Sequence, residues 1–242
     1  EISECLVGSE MCIRDREISE DGKTLRFYEN TFTLPEEADS VTETGTVTLS
    51  RSVPDLDFIC ANENRLWGCK GDTIYASKLG DPYNWNVFEG LSTDSWSVET
   101  GTPGDFTACC SFLGYPIFFK EDKVFKVYGD KPTNFQVMSS ATLGVMAGSD
   151  RSLAVAGETL FYLARVGIVA YSGGIPRSIS ASFGDTRYKN AVAGSDGTKY
   201  WVSMEGADGV STLFCYDTQA GAWYKEDRTK LVAAGYLDGL YA

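Results

Sequence analysis

Apolar positions in this chain come in short continuous runs and two-residue alternations, and no stretch repeats them at helical spacing. The fullest example is Leu160-Phe161-Tyr162-Leu163-Ala164, then Arg165-Val166-Gly167, then Ile168-Val169-Ala170-Tyr171-Ser172-Gly173-Gly174. β-Branched and aromatic residues suit a pleated surface, and a glycine closing a short loop supplies positive φ, so this stretch predicts a β-hairpin. The same order of parts recurs around Leu66, Ile117 and Tyr200, which predicts an array of similar β units.

Each unit reads as four short strands. The first is Phe58-Ile59-Cys60, Arg65-Leu66-Trp67-Gly68, Thr73-Ile74-Tyr75-Ala76 and an outer segment, Asn84-Trp85-Asn86-Val87. The second is Thr107-Ala108-Cys109-Cys110, Pro116-Ile117-Phe118-Phe119, Val124-Phe125-Lys126-Val127 and Asn134-Phe135-Gln136-Val137. The third runs from Leu153-Ala154-Val155-Ala156 through the hairpin to Pro176-Arg177-Ser178-Ile179. A fourth is Ala191-Val192-Ala193-Gly194, Lys199-Tyr200-Trp201-Val202, Leu213-Phe214-Cys215-Tyr216 and Ala222-Trp223-Tyr224-Lys225, and a fifth opens at Leu231-Val232-Ala233-Ala234. With Leu66, Ile117, Leu160, Tyr200 and Leu240 taken as equivalent, the intervals are 51, 43, 40 and 40. Four strands in roughly forty residues is the period of a propeller blade.

First strands are made of small residues, as crowding about an axis requires, and second and third strands carry the large aromatics that fill the space between blades. The expected fold is therefore all-β, a β-propeller fragment of about four to five four-stranded blades over residues 56–242, cut after Leu240-Tyr241.

Upstream, Thr24-Leu25-Arg26-Phe27-Tyr28, Thr31-Phe32-Thr33-Leu34 and Thr46-Val47-Thr48-Leu49 predict short strands, with an acidic loop at Pro35-Glu36-Glu37-Ala38-Asp39. Residues 17–55 are expected to be an N-terminal β segment, either the outer strands of an earlier blade or a separate piece. Glu1-Ile2-Ser3-Glu4 is repeated at Glu17-Ile18-Ser19-Glu20, and the intervening residues 5–16 resemble a translated sequencing adaptor. Residues 1–16 are accordingly expected to play no part in folding, and the chain to be a fragment at both ends.

Composition narrows the chemistry. Thirteen Tyr, thirteen Phe, five Trp and twenty-five Gly in 242 residues favour β structure, and no apolar run is long enough to span a membrane. The net charge of −13, with no Lys/Arg cluster, argues against a phosphate-binding surface. Histidine is absent, which removes Ser-His-Asp and Cys-His catalysis and the commonest metal ligand. The seven cysteines, at 5, 12, 60, 69, 109, 110 and 215, include no CxxC, so neither zinc nor a disulfide framework is expected. Cys60, Cys109 and Cys110 read as small buried hydrophobes, in keeping with assembly in a reducing cytoplasm. No cofactor is expected.

Four motifs are candidate sites. Lys120-Glu121-Asp122 and Lys225-Glu226-Asp227 repeat a string, but in different slots of their blades, and both read as solvated turns. Ser195-Asp196-Gly197-Thr198-Lys199-Tyr200-Trp201 approaches the Asp-box of sialidase-type propellers, Ser-x-Asp-x-Gly-x-x-Trp, yet the spacing fails and Asp-Gly before a strand is a hairpin signal. No pair of carboxylates suggests a glycosidase site. Gly184, Asp185, Arg187 and Tyr188 lie in a connection between blades, where loops cross an end face; they form either a partner-contact loop or a loop braced by Asp185 and Arg187. Tyr83 and Trp96 read equally as core or contact residues.

Asn64-Arg65-Leu66-Trp67-Gly68 followed by Ile74-Tyr75-Ala76-Ser77-Lys78-Leu79-Gly80-Asp81-Pro82-Tyr83-Asn84-Trp85 resembles a pattern in the β-propeller structural proteins of tailed bacteriophages, as does Gly148-Ser149 leading through Thr159-Leu160-Phe161-Tyr162 to Gly167-Ile168-Val169-Ala170-Tyr171. That group includes tail hub or nozzle proteins described as stabilising packaged DNA, and the likeness covers about residues 52–241. The resemblance implies a non-enzymatic virion subunit, assembled in the host cytoplasm, that lines or plugs the DNA channel. Its partners would be other virion subunits, in a homo-oligomeric ring, with DNA only a passing neighbour. An acidic lumen wall would repel DNA and let it slide. The alternative reading is an extracellular or virion-surface propeller that binds glycans or a protein receptor, and a propeller hydrolase is the third.

Overall fold

A computed structural model describes residues 53–236, together with the backbone of strands at 16–18, 24–27, 30–33 and 240–241. The chain divides into two compact units, Glu1–Arg51 and Ser52–Ala242. In the first, β1 (Arg16–Ile18), β2 (Thr24–Phe27) and β3 (Asn30–Thr33) form an antiparallel sheet in sequence order. The strand expected at Thr46-Val47-Thr48-Leu49 lies outside the described residues.

The second unit is all-β and contains four antiparallel four-stranded sheets, each a meander in sequence order, as in successive blades of a β-propeller-like array. Blade I is β4 (Phe58–Asn62), β5 (Arg65–Lys70), β6 (Thr73–Ala76) and β7 (Trp96–Glu99). Blade II is β8 (Ala108–Phe112), β9 (Tyr115–Lys120), β10 (Lys123–Tyr128) and β11 (Gln136–Ala141). Blade III is β12 (Ala154–Ala156), β13 (Thr159–Ala164), β14 (Gly167–Tyr171) and β15 (Arg177–Ser178). Blade IV is β16 (Lys189–Ser195), β17 (Lys199–Glu205), β18 (Ser211–Asp217) and β19 (Ala222–Lys225). The two-stranded pair β20 (Gly235–Tyr236) and β21 (Leu240–Tyr241) follows. First strands approach one another, β4 beside β8, β12 beside β16 and β16 beside β20.

The continuous apolar runs of the second strands have a direct cause. Both faces of these strands are buried, and alternate side chains serve alternate interfaces. On β9, Phe118 joins Trp67, Ile74 and Phe125 between blades I and II, whereas Ile117 and Phe119 join Leu160 and Tyr162 between blades II and III. On β13, Leu160 and Tyr162 turn back to blade II while Phe161 and Leu163 turn forward to Tyr200, Val202 and Phe214 of blade IV. Each such side chain contributes about 1.5–3 kcal/mol by leaving water. The turn of the β13–β14 hairpin ends at Gly167, with φ of 115°, where an added Cβ would overlap the Ser180 hydroxyl.

Three sequence expectations are corrected: the strand that opens the fifth unit is Gly235–Tyr236, and Leu231-Val232-Ala233-Ala234 precedes it outside any strand. The outer strand of blade I is Trp96–Glu99, and Asn84-Trp85-Asn86-Val87 belongs to a long folded connection over residues 77–95. Trp85 and Val87 are buried there without being in a strand, so apolar content misplaced the strand. The residue of blade II equivalent to Leu66 and Leu160 is Pro116, second in its strand, because the preceding turns are Glu63-Asn64, Leu113-Gly114 and Gly157-Glu158. Choosing Ile117 shifts the register by one and exchanges the two interfaces.

Candidate functional site: the loop face between blades III and IV

In a four-stranded meander, the turn between second and third strands lies at the same end as the connection to the next blade. Hydrogen bonds link these loops from blade to blade. Phe106 N donates to Gly71 O at 2.8 Å, and Ala147 N donates to Glu121 Oε1 at 3.1 Å. Arg187 Nη1 donates to Arg165 O at 2.7 Å.

Both residues of this last bond line a cavity of about 460 Å³. Met146, Arg165 and Val166 line one part of it, and Asp185, Arg187 and Tyr188 another. Gly184 also lines it; this residue ends the 3₁₀ turn Ala181–Phe183 with φ of 62°, a conformation that favours glycine. All four loop residues singled out in the sequence therefore border one concavity. Arg187 braces the loop against the β13–β14 turn, and among the described residues no ion pair joins it to Asp185. The Arg165 guanidinium is 4.0 Å from Glu121, an exposed pair that adds little to stability. Tyr188 stands against Phe183 and Phe214, with ring centroids at 5.8 and 5.6 Å. Burial, followed by the charge of Asp208, raises the pKa of its hydroxyl, which stays protonated at neutral pH as a hydrogen-bonding group. The cavity lining thus combines Arg165, Arg187, Asp185 and Tyr188 with Met146 and Val166, a mixed lining that suits docking of a polar segment.

Sequence reading missed Arg165 and Met146 as members of this site. The signal was available for Arg165: once a meander is assumed, the second turn of a blade and the connection that follows it must converge.

A second built surface is the connection over residues 77–95. Arg65, 4% exposed, sends Nη1 to the carbonyls of Ser77 (2.7 Å) and Asp94 (2.5 Å) and Nη2 to that of Ser92 (2.8 Å). Asp94 Oδ2 accepts from the backbone N–H groups of Glu89, Gly90 and Leu91 at 2.6, 2.7 and 3.0 Å. Trp85 Nε1 donates to Pro82 O at 2.9 Å. On this rigid frame Tyr83 and Phe88 stand 68% and 57% exposed. Trp96, by contrast, is partly buried, packed edge-on against Trp67 and Phe135 at the edge of the core between blades I and II.

Of the two charged strings, Lys225-Glu226-Asp227 is exposed as expected, whereas the first departs from expectation. Lys120 is 2% exposed, its ammonium donating to the carbonyls of Thr102 and Gly104 and lying 5.0 Å from the Phe106 ring, so only Glu121 and Asp122 belong to the turn. A loop distant in sequence supplies the acceptors that permit this burial. Asp196 organises its own hairpin turn, Oδ1 accepting from Thr198 N at 2.9 Å and Lys199 N at 2.7 Å. Cys60, Cys109 and Cys110, expected to be buried, are instead partly exposed, and Cys69 and Cys215 are the buried ones among the described residues. Among the described residues no group of three His, Cys, Asp or Glu side chains could hold a metal ion, and no helix is long and apolar enough to cross a membrane. No family model matches the chain, and no curated protein is significantly similar to it.

Proposed function

We propose that the chain is a non-enzymatic structural component of a tailed-phage particle, a tail hub or nozzle subunit that works by presenting rigid faces to neighbouring subunits. The observation that carries this reading is the clamp at residues 64–95. The string that resembles phage propeller proteins supplies Arg65, Ser77 and Trp85, which build the buried frame beneath the exposed Tyr83. Rigid, pre-formed loops on stacked blades suit a subunit whose task is docking, because little conformational entropy is lost on assembly. The net charge of −13 fits a wall past which DNA slides.

The test begins with the locus that encodes the chain, which should lie among portal, terminase and tail genes. Particles produced from that locus should contain the protein by mass spectrometry, and antibody labelling should place it at the tail. A locus without virion genes, or glycan-array binding by a secreted full-length protein, would overturn the reading.

A further inference from the structure

Cys60 on β4 and Cys109 on β8 face each other across the first step between blades. The two strands lie side by side. Asn62 Nδ2 donates to Ser111 Oγ at 2.8 Å. Asn62 and Ser111 each follow their cysteine by two residues, and residues two apart in a strand stand on the same side. The bond joining 62 to 111 therefore sets the two thiols opposite one another one step earlier. Cys60 and Cys109 both pack against the cluster between blades I and II, which also holds Cys69. Both members of the facing pair are partly exposed, whereas Cys69 is buried.

We propose that Cys60 and Cys109 are an oxidisable pair whose disulfide staples the first strand of blade I to the first strand of blade II. The oxidant is a small-molecule disulfide. One cysteine thiolate attacks a sulfur of oxidised glutathione; that S–S bond breaks, a mixed disulfide forms, and one glutathione leaves and takes up the proton the cysteine lost. The second cysteine then attacks the protein sulfur of the mixed disulfide and releases the other glutathione, which takes up the second proton. Two cysteine thiols are oxidised and one glutathione disulfide is reduced to two thiols.

The surroundings set the rate. The neighbouring Cys109 thiol, followed by burial, holds the Cys60 thiol above the ordinary range. At Cys109 the neighbouring Cys60 acts in the opposite direction, and Cys69 together with burial outweighs it. Few thiolates are present at neutral pH, so the staple closes slowly and faster in alkaline solution, unlike a low-pKa redox sensor. Once formed, it closes a long loop of chain and restricts the unfolded state.

The experiment treats the full chain in native buffer with oxidised glutathione at pH 7 and pH 9, then blocks remaining thiols and maps peptides by mass spectrometry. The expected result is a Cys60–Cys109 cross-linked peptide with the loss of two hydrogens, formed several-fold faster at pH 9, and a melting temperature above that of the reduced protein. Cys69→Ser should still form the link. Cys60→Ser, if it folds, should stop at a glutathione adduct on Cys109. Native wild-type protein that yields only adducts or free thiols at both positions, or a link from Cys109 to Cys69, overturns the proposal. This mapping does not depend on the phage reading.

Discussion

Phe118 and Phe119 are adjacent, chemically identical and both fully buried, yet the stacking of blades assigns them to different interfaces. Phe118 lies against Phe106 at 5.7 Å in the cluster between blades I and II. Phe119 lies against Tyr162 at 5.2 Å in the cluster between blades II and III. Truncating either to alanine removes the transfer free energy of the ring and leaves a cavity, a loss of about 3–5 kcal/mol. For a unit of this size that lowers the melting temperature by on the order of 10 °C. The two variants should look alike in a melting experiment and differ in native-state hydrogen exchange. Phe118→Ala should loosen β5 and β6, and Phe119→Ala should loosen β13 and β14, because local opening is easiest where the missing ring had packed. Identical exchange patterns in the two variants would refute the account of strands with two buried faces.

Asp94→Ala leaves three backbone N–H groups without their acceptor and removes the negative charge that faces the buried Arg65; we expect a loss of about 3–5 kcal/mol and protease cleavage within residues 77–95, which mass spectrometry of the fragments would locate. Gly144→Ala would drive a Cβ into the Lys120 carbonyl oxygen and should destabilise by more than about 2 kcal/mol, whereas Gly174→Ala meets open space and should leave the urea midpoint unchanged. Acid should weaken the fold in a defined direction. At Asp196 burial raises the pKa, but hydrogen bonds from Lys199 and Thr198 outweigh it; at Asp217 and Asp227 backbone donors lower it directly. Carboxyls with folded pKa values below their unfolded ones contribute stability that is present above about pH 4 and lost as pH falls through the folded values. The urea midpoint should therefore fall steadily below about pH 4, and Asp196→Asn should flatten that fall.

The all-β class, the order of the units and the division of labour between small first strands and aromatic second strands were legible in the sequence. They depend on local alternation, on turn chemistry and on the size of side chains, which adjacent residues alone express. Runs such as Pro116-Ile117-Phe118-Phe119 also announce that both faces of a strand are buried, since no solvated sheet tolerates them.

What only the tertiary structure decided depends on residues far apart in the chain. Asn84-Trp85-Asn86-Val87 imitates a strand because Trp85 and Val87 are buried, and only the frame built by Arg65 and Asp94 shows that a loop can bury them equally well. Lys120 sits inside because Thr102 and Gly104 present carbonyl oxygens to it. Arg165 and Arg187 meet because antiparallel meanders return successive loops to one end, and Cys60 meets Cys109 because neighbouring first strands align. Strand identity is written in local pattern, whereas the partner of a side chain is chosen by which distant backbone arrives beside it.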